Sequence, residues 1–598
     1  AMEAAETVHK AGAVLAAVAA AQGAALVIDP EVAGAGAGAG LRDSPRRLLA
    51  RLLRRAPDAA ARAAPRPDWA PAPVGEDAPD EQLRHLQRLL AVLGSSSALG
   101  DFLAAHPEGL AALDPARAPD APGLPDARTA LRAAVTGALG RPATEDGPDG
   151  KGGPGDTGGG ADGAGDGPDD PDSGPDGGTG TADRDAVARA TSALRTAYRN
   201  RLLGIVADDL TSPDPYQHVE TVGRRMSDLA DAALDAALLI ARRAVGPPAR
   251  DAALAVIAMG KTGARELNYI SDVDVVYVVA PAEGRQVPEE ELLAAGTAIA
   301  TELAAVVSST GAEPPLWPLD TGLRPEGKDG ALVRTLASHV AYYQRWAASW
   351  EFQALLKARA AAGDEALGRA YEQAVAPFIW SASLRDNFVD DARAMRRRVE
   401  RASEPRDGQD RRIKLGPGGL RDVEFTVQLL QLVHGRGDQT LRVRPTLTAL
   451  RALSDGGYVS RGAAGALGDG YRILRLLEHR SQLHRLRRTH DLPASDADLR
   501  RIGRGIDRTA LGDPAPLREA FRAARRQVRS LHEEIYYRPL LGAAAGLTAD
   551  EMTLTPRAAG ERLAAVGYRD PAGAMHHIQA LTEGVSRRAA IQRQLLPV

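Results

Sequence analysis

The sequence predicts an α+β chain that is predominantly helical, on three observations. Aromatic residues make up only 4% of the 598 positions while apolar residues make up 44%. The cores must therefore be built from Ala, Leu and Val, and Ala and Leu have high helix propensity. Apolar residues recur at helical spacing, as at Leu420, Val423, Val427, Leu430 and His434. Strand character is confined to residues 250–335, where two apolar runs flank a glycine-punctuated turn. A chain of this length exceeds one core, so three or four domains are expected.

Residues 1–141 read as Ala/Leu/Arg-rich helical segments with Gly/Ala and Pro-rich breaks near 33–40 and 64–80. Within them Ala11 to Ile28 is nearly all apolar and follows Lys10, which mimics a secretory signal. Its Ala content, its Gln22 and its weak positive flank make it a poor membrane span, so an Ala-rich helix is expected. Residues 142–183 are Gly, Asp, Pro and Thr with almost no large apolar side chain, and predict a disordered, acidic linker. Residues 184–249 carry two helical patterns that end before Gly246-Pro247-Pro248. The core at 250–335 holds a strand Ala253–Met259, a turn, a strand opening at Ser271, a helix Pro288–Ser309 and a third strand Leu316–Arg324. Residues 336–545 read as a helical domain and bundle, with a turn at Gly416–Gly419 opening a helix Leu420–His434. A small helical unit is expected at 546–598.

A formal net charge of −4 argues against a general nucleic-acid binder. The basic stretches Arg393–Arg401 and Arg485–Arg488 read as solvated helix faces. The absence of cysteine excludes disulfides and thiolate metal sites and fits a cytoplasmic protein.

The chemistry concentrates in residues 257–278, IAMGKTGARELNYISDVDVVYV. Side chains alternate along a strand, so Asp272 and Asp274 project from one face. Two carboxylates at the mouth of a buried strand repel, and a pair of divalent cations relieves the repulsion. Mg²⁺ suits such a place because it prefers a few carboxylates plus substrate phosphates to an all-protein cage. The preceding turn, Gly260-Lys261-Thr262-Gly263, offers backbone N–H groups and one ammonium to an anion.

Met259-Gly260-Lys261-x-Gly263-x-x-Glu266-Leu267-Asn268-x-x-Ser271-Asp272-x-Asp274 closely resembles the signature of the glutamine synthetase adenylyltransferase/adenylyl-removing family, within the polymerase-β-like nucleotidyltransferases. Further segments match in the family's order: Asp320-x-x-Leu323-Arg324-Pro325-Glu326-Gly327, Tyr342 through Arg359, Lys414 through Phe425, and Glu478-His479-Arg480 to Pro493. The match is long from about residue 190 onward and thin before it. It implies a polymerase-β-like nucleotidyltransferase domain with flanking helical domains and a helical bundle. Family members usually carry two catalytic halves in tandem, and one Ser-Asp-x-Asp copy stands here. Glu266-Leu267-Asn268 and Gly419 to Phe425 look like the amino-terminal, adenylyl-removing half. A chain running from Ala1 to Val598 then reads as a fragment of the tandem protein.

The resemblance implies that Asp272 and Asp274 bridge two Mg²⁺ ions and that Asp320, on an adjacent strand, holds the ion that binds the nucleophile. Gly260, Lys261 and Gly263 would hold phosphate. Ser271 either bonds phosphate or caps the turn. Arg324 either neutralises a phosphate or pairs with Glu326. Lys357 and Arg359 either face the nucleotide pocket or form a surface helix pair. Lys414 and Arg421 either meet an anion or orient the helical domain. His434 and His490 read as core or capping histidines. The implied reaction is phosphorolysis of adenylyl-tyrosine on glutamine synthetase, giving ADP and free tyrosine. The partners implied are adenylylated glutamine synthetase, phosphate, ADP or ATP, and a P-II signalling protein, with no nucleic acid and no membrane. Three alternatives stand beside it: adenylylation from ATP at the same site, nucleotidyl transfer to a small molecule, and a non-catalytic module binding glutamine synthetase or a P-II protein.

Overall fold

The computed structural model describes residues 80–117, 123–140, 177–402, 409–537, 570–573 and 576. The expectations for residues 1–79, including Ala11–Ile28, for 142–176 and for nearly all of 546–598 lie outside these residues. Within them the chain is predominantly helical around one small mixed sheet.

Ahead of the sheet come α1 (Asp80–Ser95), α2 (Ser97–Ala105), α3 (Ala127–Leu139), α4 (Gly177–Thr211) and α5 (Pro215–Val245). The α5 boundaries follow from local chemistry. Asp214 accepts a hydrogen bond from Gln217 N at the start, Pro215 fills the first helical position, and Gly246, with φ of 75°, stops it before two prolines. Helix α4 begins at Gly177, inside the stretch expected to be disordered. Extending an existing helix adds one hydrogen bond per residue fixed, so a well-packed body carries its helix into weak helix formers.

The sheet comprises β1 (Ala252–Ala258), β2 (Val273–Pro281), β3 (Leu319–Asp320), β4 (Val333–Thr335) and β5 (Arg359–Gly363). Strand β1 is antiparallel to both β2 and β5, while β3 and β4 pair parallel with β2 at its two ends. The one-turn helix α6 (Gly260–Gly263) replaces the expected turn between β1 and β2. Helix α7 (Glu289–Ser308) follows β2. It is long and apolar enough to cross a membrane, yet it lies on the sheet. A Cβ on its Gly296 would sit 3.0 Å from Val279 and 3.1 Å from Val333. Buried Arg195 of α4 closes its C-terminal end by donating to the carbonyls of Val306 and Ser309, each at 2.7 Å.

Two expectations are corrected. The third strand is two residues long rather than Leu316–Arg324, because the chain turns at Thr321-Gly322 immediately after pairing with β2. The fifth strand was expected to be helix, since Arg359-Ala360-Ala361-Ala362-Gly363 reads as a helix former. Pairing with β1 decides otherwise, helped by Gly363 at φ +82°, whose Cβ would lie 2.1 Å from Leu254 O. The core therefore extends past 335.

The remaining helices are α8 (Leu336–Arg345), α9 (Ser349–Leu355), α10 (Glu365–Ser381), α11 (Phe388–Ala402), α12 (Leu420–His434), α13 (Thr446–Asp455), α14 (Arg461–Leu483), α15 (Asp496–Arg504) and α16 (Pro514–Tyr536). Strand alternation sorts two cores. Leu254, Val256, Val273, Val275, Tyr277 and Val279 face the cluster built with α1–α5 and α7. Ala255, Ile257, Val276 and Val278 face the cluster built with α8–α16. Asp274 has the parity of Val276 and Val278, so it emerges on the side of the second cluster.

Buried ion pairs join these bodies and brace the second from within. Asp209 of α4 receives Arg480 of α14, with one contact at 2.9 Å, and the hydroxyl of Tyr269. Burial opposes ionisation of Asp209, but Arg480 more than offsets it and holds the carboxyl below its usual range. Asp422 and Arg396, both fully enclosed, pair beneath the turn that opens α12, and Gly418 N donates to Asp422 at 2.7 Å. Arg396 lies in the first stretch expected to be a solvated face; Arg397 and Arg398 are exposed as expected, but Arg396 is not. Removing one member of such a pair strands a buried charge. Arg480→Met is expected to lower unfolding stability by about 3–5 kcal/mol, read from the midpoint of a denaturant titration.

Candidate active site

The register of the sheet builds the site. Asp274 of β2 stands opposite Asp320 of β3 as Cα partners, and Asp272 precedes Asp274 by one strand repeat. Burial pushes the Asp274 carboxyl up to about 6, and the charges of Asp320 and Asp272 add to that shift against Lys414 and Lys261. The three expected carboxylates therefore share one neighbourhood. Asp320 Oδ1 accepts from Gly322 N at 2.8 Å, which aims it. Gly260 closes the floor. Its φ is +53°, and a Cβ there would lie 2.3 Å from Asp274 Oδ2, so no other residue fits without displacing the carboxylate.

An all-oxygen donor set fits a hard divalent cation. Asp272 Oδ1 is buried without a hydrogen-bond partner, as an oxygen reserved for such an ion would be. Among the described residues, however, no three potential ligands enclose a common point. Asp272 Oδ2 contacts the guanidinium of Arg488 at 2.5 Å instead. Arg488 comes from the second stretch expected to be a solvated face, and it is exposed beside this acidic neighbour, though it lies past the end of α14 instead of on a helix.

Over the carboxylates opens a cavity of about 320 Å³ between the sheet and the second group of helices. Lys261, Ser271, Lys414 and Arg421 line it. Ser271 lines the cavity and makes no side-chain hydrogen bond among the described residues, which leaves its hydroxyl to a ligand. Lys261 Nζ donates to Glu478 Oε2 at 2.8 Å. Burial pushes its ammonium down to about 8 despite Glu478. Burial also opposes ionisation of Glu478, but Lys261, His490 and Arg475 hold that carboxyl well below its usual range. Lys414 makes no salt bridge among the described residues and faces Asp274 and Lys261. Arg421 lies over the Phe425 ring at 5.5 Å, with its Nε buried and unpartnered.

Four expected ligand contacts turn out to be structural. Gly263 packs where a Cβ would meet Lys357 O at 2.0 Å and Ala258 O at 2.6 Å, so it permits close approach instead of facing the cavity. Arg324 neither reaches the cavity nor pairs with Glu326. It clasps its own loop through Thr321 O, Lys328 O and Gly330 O, each at 2.9–3.0 Å, and Glu326 pairs with Arg334. Arg359 is buried on β5, not on a surface helix. It binds Asp231 bidentately at 2.6 and 2.9 Å and the carbonyl of Thr262 at 3.1 Å, which fixes α6 from below. Lys357 does line the cavity, yet its Nζ is held by Arg444 O and Thr446 Oγ1. His434 stacks on Tyr458, and His490 Nδ1 lies 3.3 Å from Glu478 Oε1, closer to the site than a capping role implies.

Residue-by-residue reading missed Glu478, Glu266 and Arg488. Glu266 accepts from Thr446 N at 2.6 Å and Oγ1 at 2.9 Å, tying the segment after α6 to α13. Arg475 donates to Glu266 O at 2.6 Å. The signal for Glu266 and Glu478 was their place in the matched motifs, without which a lone Glu on a helix carries none.

Residues 180–374 match the family described as "Glutamate-ammonia ligase adenylyltransferase", and residues 393–536 match "GlnD PII-uridylyltransferase". The chain is 54% identical over 407 residues to a Streptomyces avermitilis protein named "Bifunctional glutamine synthetase adenylyltransferase/adenylyl-removing enzyme", covering 68% of this chain and 40% of the relative. It is 44% identical over 572 residues to the protein of the same name from Leifsonia xyli, covering 93% of this chain and 51% of that relative. The chain thus spans about half the length, or less, of the curated relatives it matches.

The Lys261 ammonium carries its charge below about pH 8 and loses it above. Affinity of the cavity for a phosphate-bearing anion is therefore expected to weaken as pH rises from 7 to 9.5. Lys261→Arg, which stays charged, should flatten that limb in calorimetric titrations.

Proposed function

From the homology of this chain with the bifunctional glutamine synthetase adenylyltransferase/adenylyl-removing enzymes, we propose that it removes AMP from adenylylated glutamine synthetase by phosphorolysis, as a cytoplasmic enzyme regulating nitrogen assimilation. The observation that carries the chemistry is the register that sets Asp274 against Asp320 beside Asp272, under a cavity rimmed by Lys261, Lys414 and Arg421.

Inorganic phosphate attacks the phosphorus of the adenylyl-tyrosine. The new P–O bond makes ADP, the bond to the tyrosine oxygen breaks, and the phenolate takes up a proton. Charge grows on the attacking and leaving oxygens. Asp272, Asp274 and Asp320 would hold Mg²⁺, which when bound supplies charge neutralisation at those oxygens. Lys261, Lys414 and Arg421 orient and neutralise the phosphoryl oxygens, and Ser271 donates a hydroxyl. The buried acid Glu478 keeps Lys261 in place. The target tyrosine belongs to the partner, so none is required here.

The removing direction is favoured by Glu266-Leu267-Asn268 and by Gly419 to Phe425, which resemble that half of the family. Adenylylation from ATP at this site would instead make the tyrosine hydroxyl the nucleophile and pyrophosphate the leaving group. Incubation with adenylylated glutamine synthetase, Mg²⁺ and phosphate is expected to yield ADP. Asp320→Asn should reduce that yield by more than the about 100-fold that outer partners of a metal site cost, with the unfolding midpoint unchanged. AMP transfer from ATP to unmodified glutamine synthetase, without phosphate-dependent ADP, would reverse the direction.

A further inference from the structure

Helix α12 presents Arg421, Glu424, Phe425 and Gln428 to the cavity. These positions, i, i+3, i+4 and i+7, form one face of a helix. At about 1.5 Å rise per residue they run roughly 10 Å along the axis, about the reach of a nucleoside monophosphate. The chemistry changes along that line. Arg421 lies near Asp274, whose charge acts on it, at the carboxylate end. Glu424 lines the cavity with no hydrogen bond or salt bridge among the described residues, and its charge is felt by Lys261, Lys357 and Arg421. Phe425 and, from α9, Trp350 supply apolar walls. At the far end Gln353 Nε2 donates to Gln428 Oε1 at 2.8 Å.

That amide pair satisfies one donor and one acceptor internally. It leaves the acceptor of Gln353 and the donors of Gln428 for a ligand, and exchanging O and N in both side chains again leaves one donor side and one acceptor side. A donor beside an acceptor is what the adenine edge, with its exocyclic amine and ring nitrogen, requires.

We propose that α12 is the nucleoside-selecting element of this site: Arg421 takes the phosphate end, Glu424 accepts the ribose hydroxyls, Trp350 and Phe425 wall the base, and the Gln353–Gln428 pair reads adenine. The assignment rests on the nucleotidyl-transfer reading above and adds the residues that set ribose and base preference.

The test is calorimetric titration of the full chain, in Mg²⁺, with ADP, 2′-deoxy-ADP, GDP and pyrophosphate. Wild type is expected to prefer ADP over 2′-deoxy-ADP by about tenfold, the size of one hydrogen bond to a charged acceptor. Glu424→Gln should bring those two ligands together, whereas a residue serving only as counter-charge to Lys261 would shift both equally. Gln428→Leu should remove the preference for ADP over GDP while leaving pyrophosphate affinity unchanged. Equal weakening of ADP and 2′-deoxy-ADP in Glu424→Gln, or an intact base preference in Gln428→Leu, would overturn the assignment. Binding of pyrophosphate with indifference to ribose and base would also overturn it and leave the phosphate end standing. Failure of wild type to bind any nucleoside phosphate would remove the nucleotidyl-transfer reading itself.

Discussion

Three carboxylates held at one end of a buried strand are the constraint to which the surrounding polar structure answers. In a partly desolvated site their mutual repulsion costs more than it would in water. Burial first, and then the charges of Asp320 and Asp272, raise the Asp274 carboxyl to about 6. Counter-charge therefore has to arrive from elsewhere, and it does. Lys261 comes from the α6 turn, Lys414 and Arg421 from the start of α12, and Arg488 from the segment after α14. Lys261 and Arg421 are themselves buried to a degree that demands support. Glu478 supports Lys261, and the enclosed Asp422–Arg396 pair supports the turn from which α12 starts.

The site thus belongs to neither body alone. The sheet and its α6 turn contribute carboxylates, a glycine floor and Lys261, and the second group of helices with its connections contributes the other cations and the far wall. The pairs that join them are deeply buried, as with Asp209–Arg480 and Glu478–Lys261. A buried pair is weak evidence for added stability, because desolvation offsets attraction. Its geometric effect is firmer: a charge with one possible partner fixes the register in which two bodies meet. Arg475, bonded to the carbonyl of Glu266, and Thr446, bonded to its carboxylate, fix the same interface through backbone groups.

Glycine appears where the carboxylates and the sheet leave no room for a side chain. Gly260 meets Asp274, and Gly263 meets the carbonyls of Ala258 and Lys357. The two glycines of one short motif thus do different work. One shapes the ligand side of the turn and the other lets β1 and β5 close beneath it.

The sequence by itself determined the helical class, the strand pair around the 260–263 turn, the shared face of Asp272 and Asp274, the membership of Asp320 in the same site, and the helix Leu420–His434. All of these follow from period, propensity and motif, which are properties of neighbouring residues. It did not determine which cations face the cavity. Arg324, Arg359 and Lys261 look alike in a sequence, yet one clasps its loop, one is held by Asp231 and one lines the cavity. Nor did it reveal β5, whose Ala-rich residues favour helix until β1 supplies partners for their backbone groups. Tertiary structure decided these points because the worth of a long charged side chain, or of an ambiguous backbone segment, depends on the partner brought to it from a distant part of the chain.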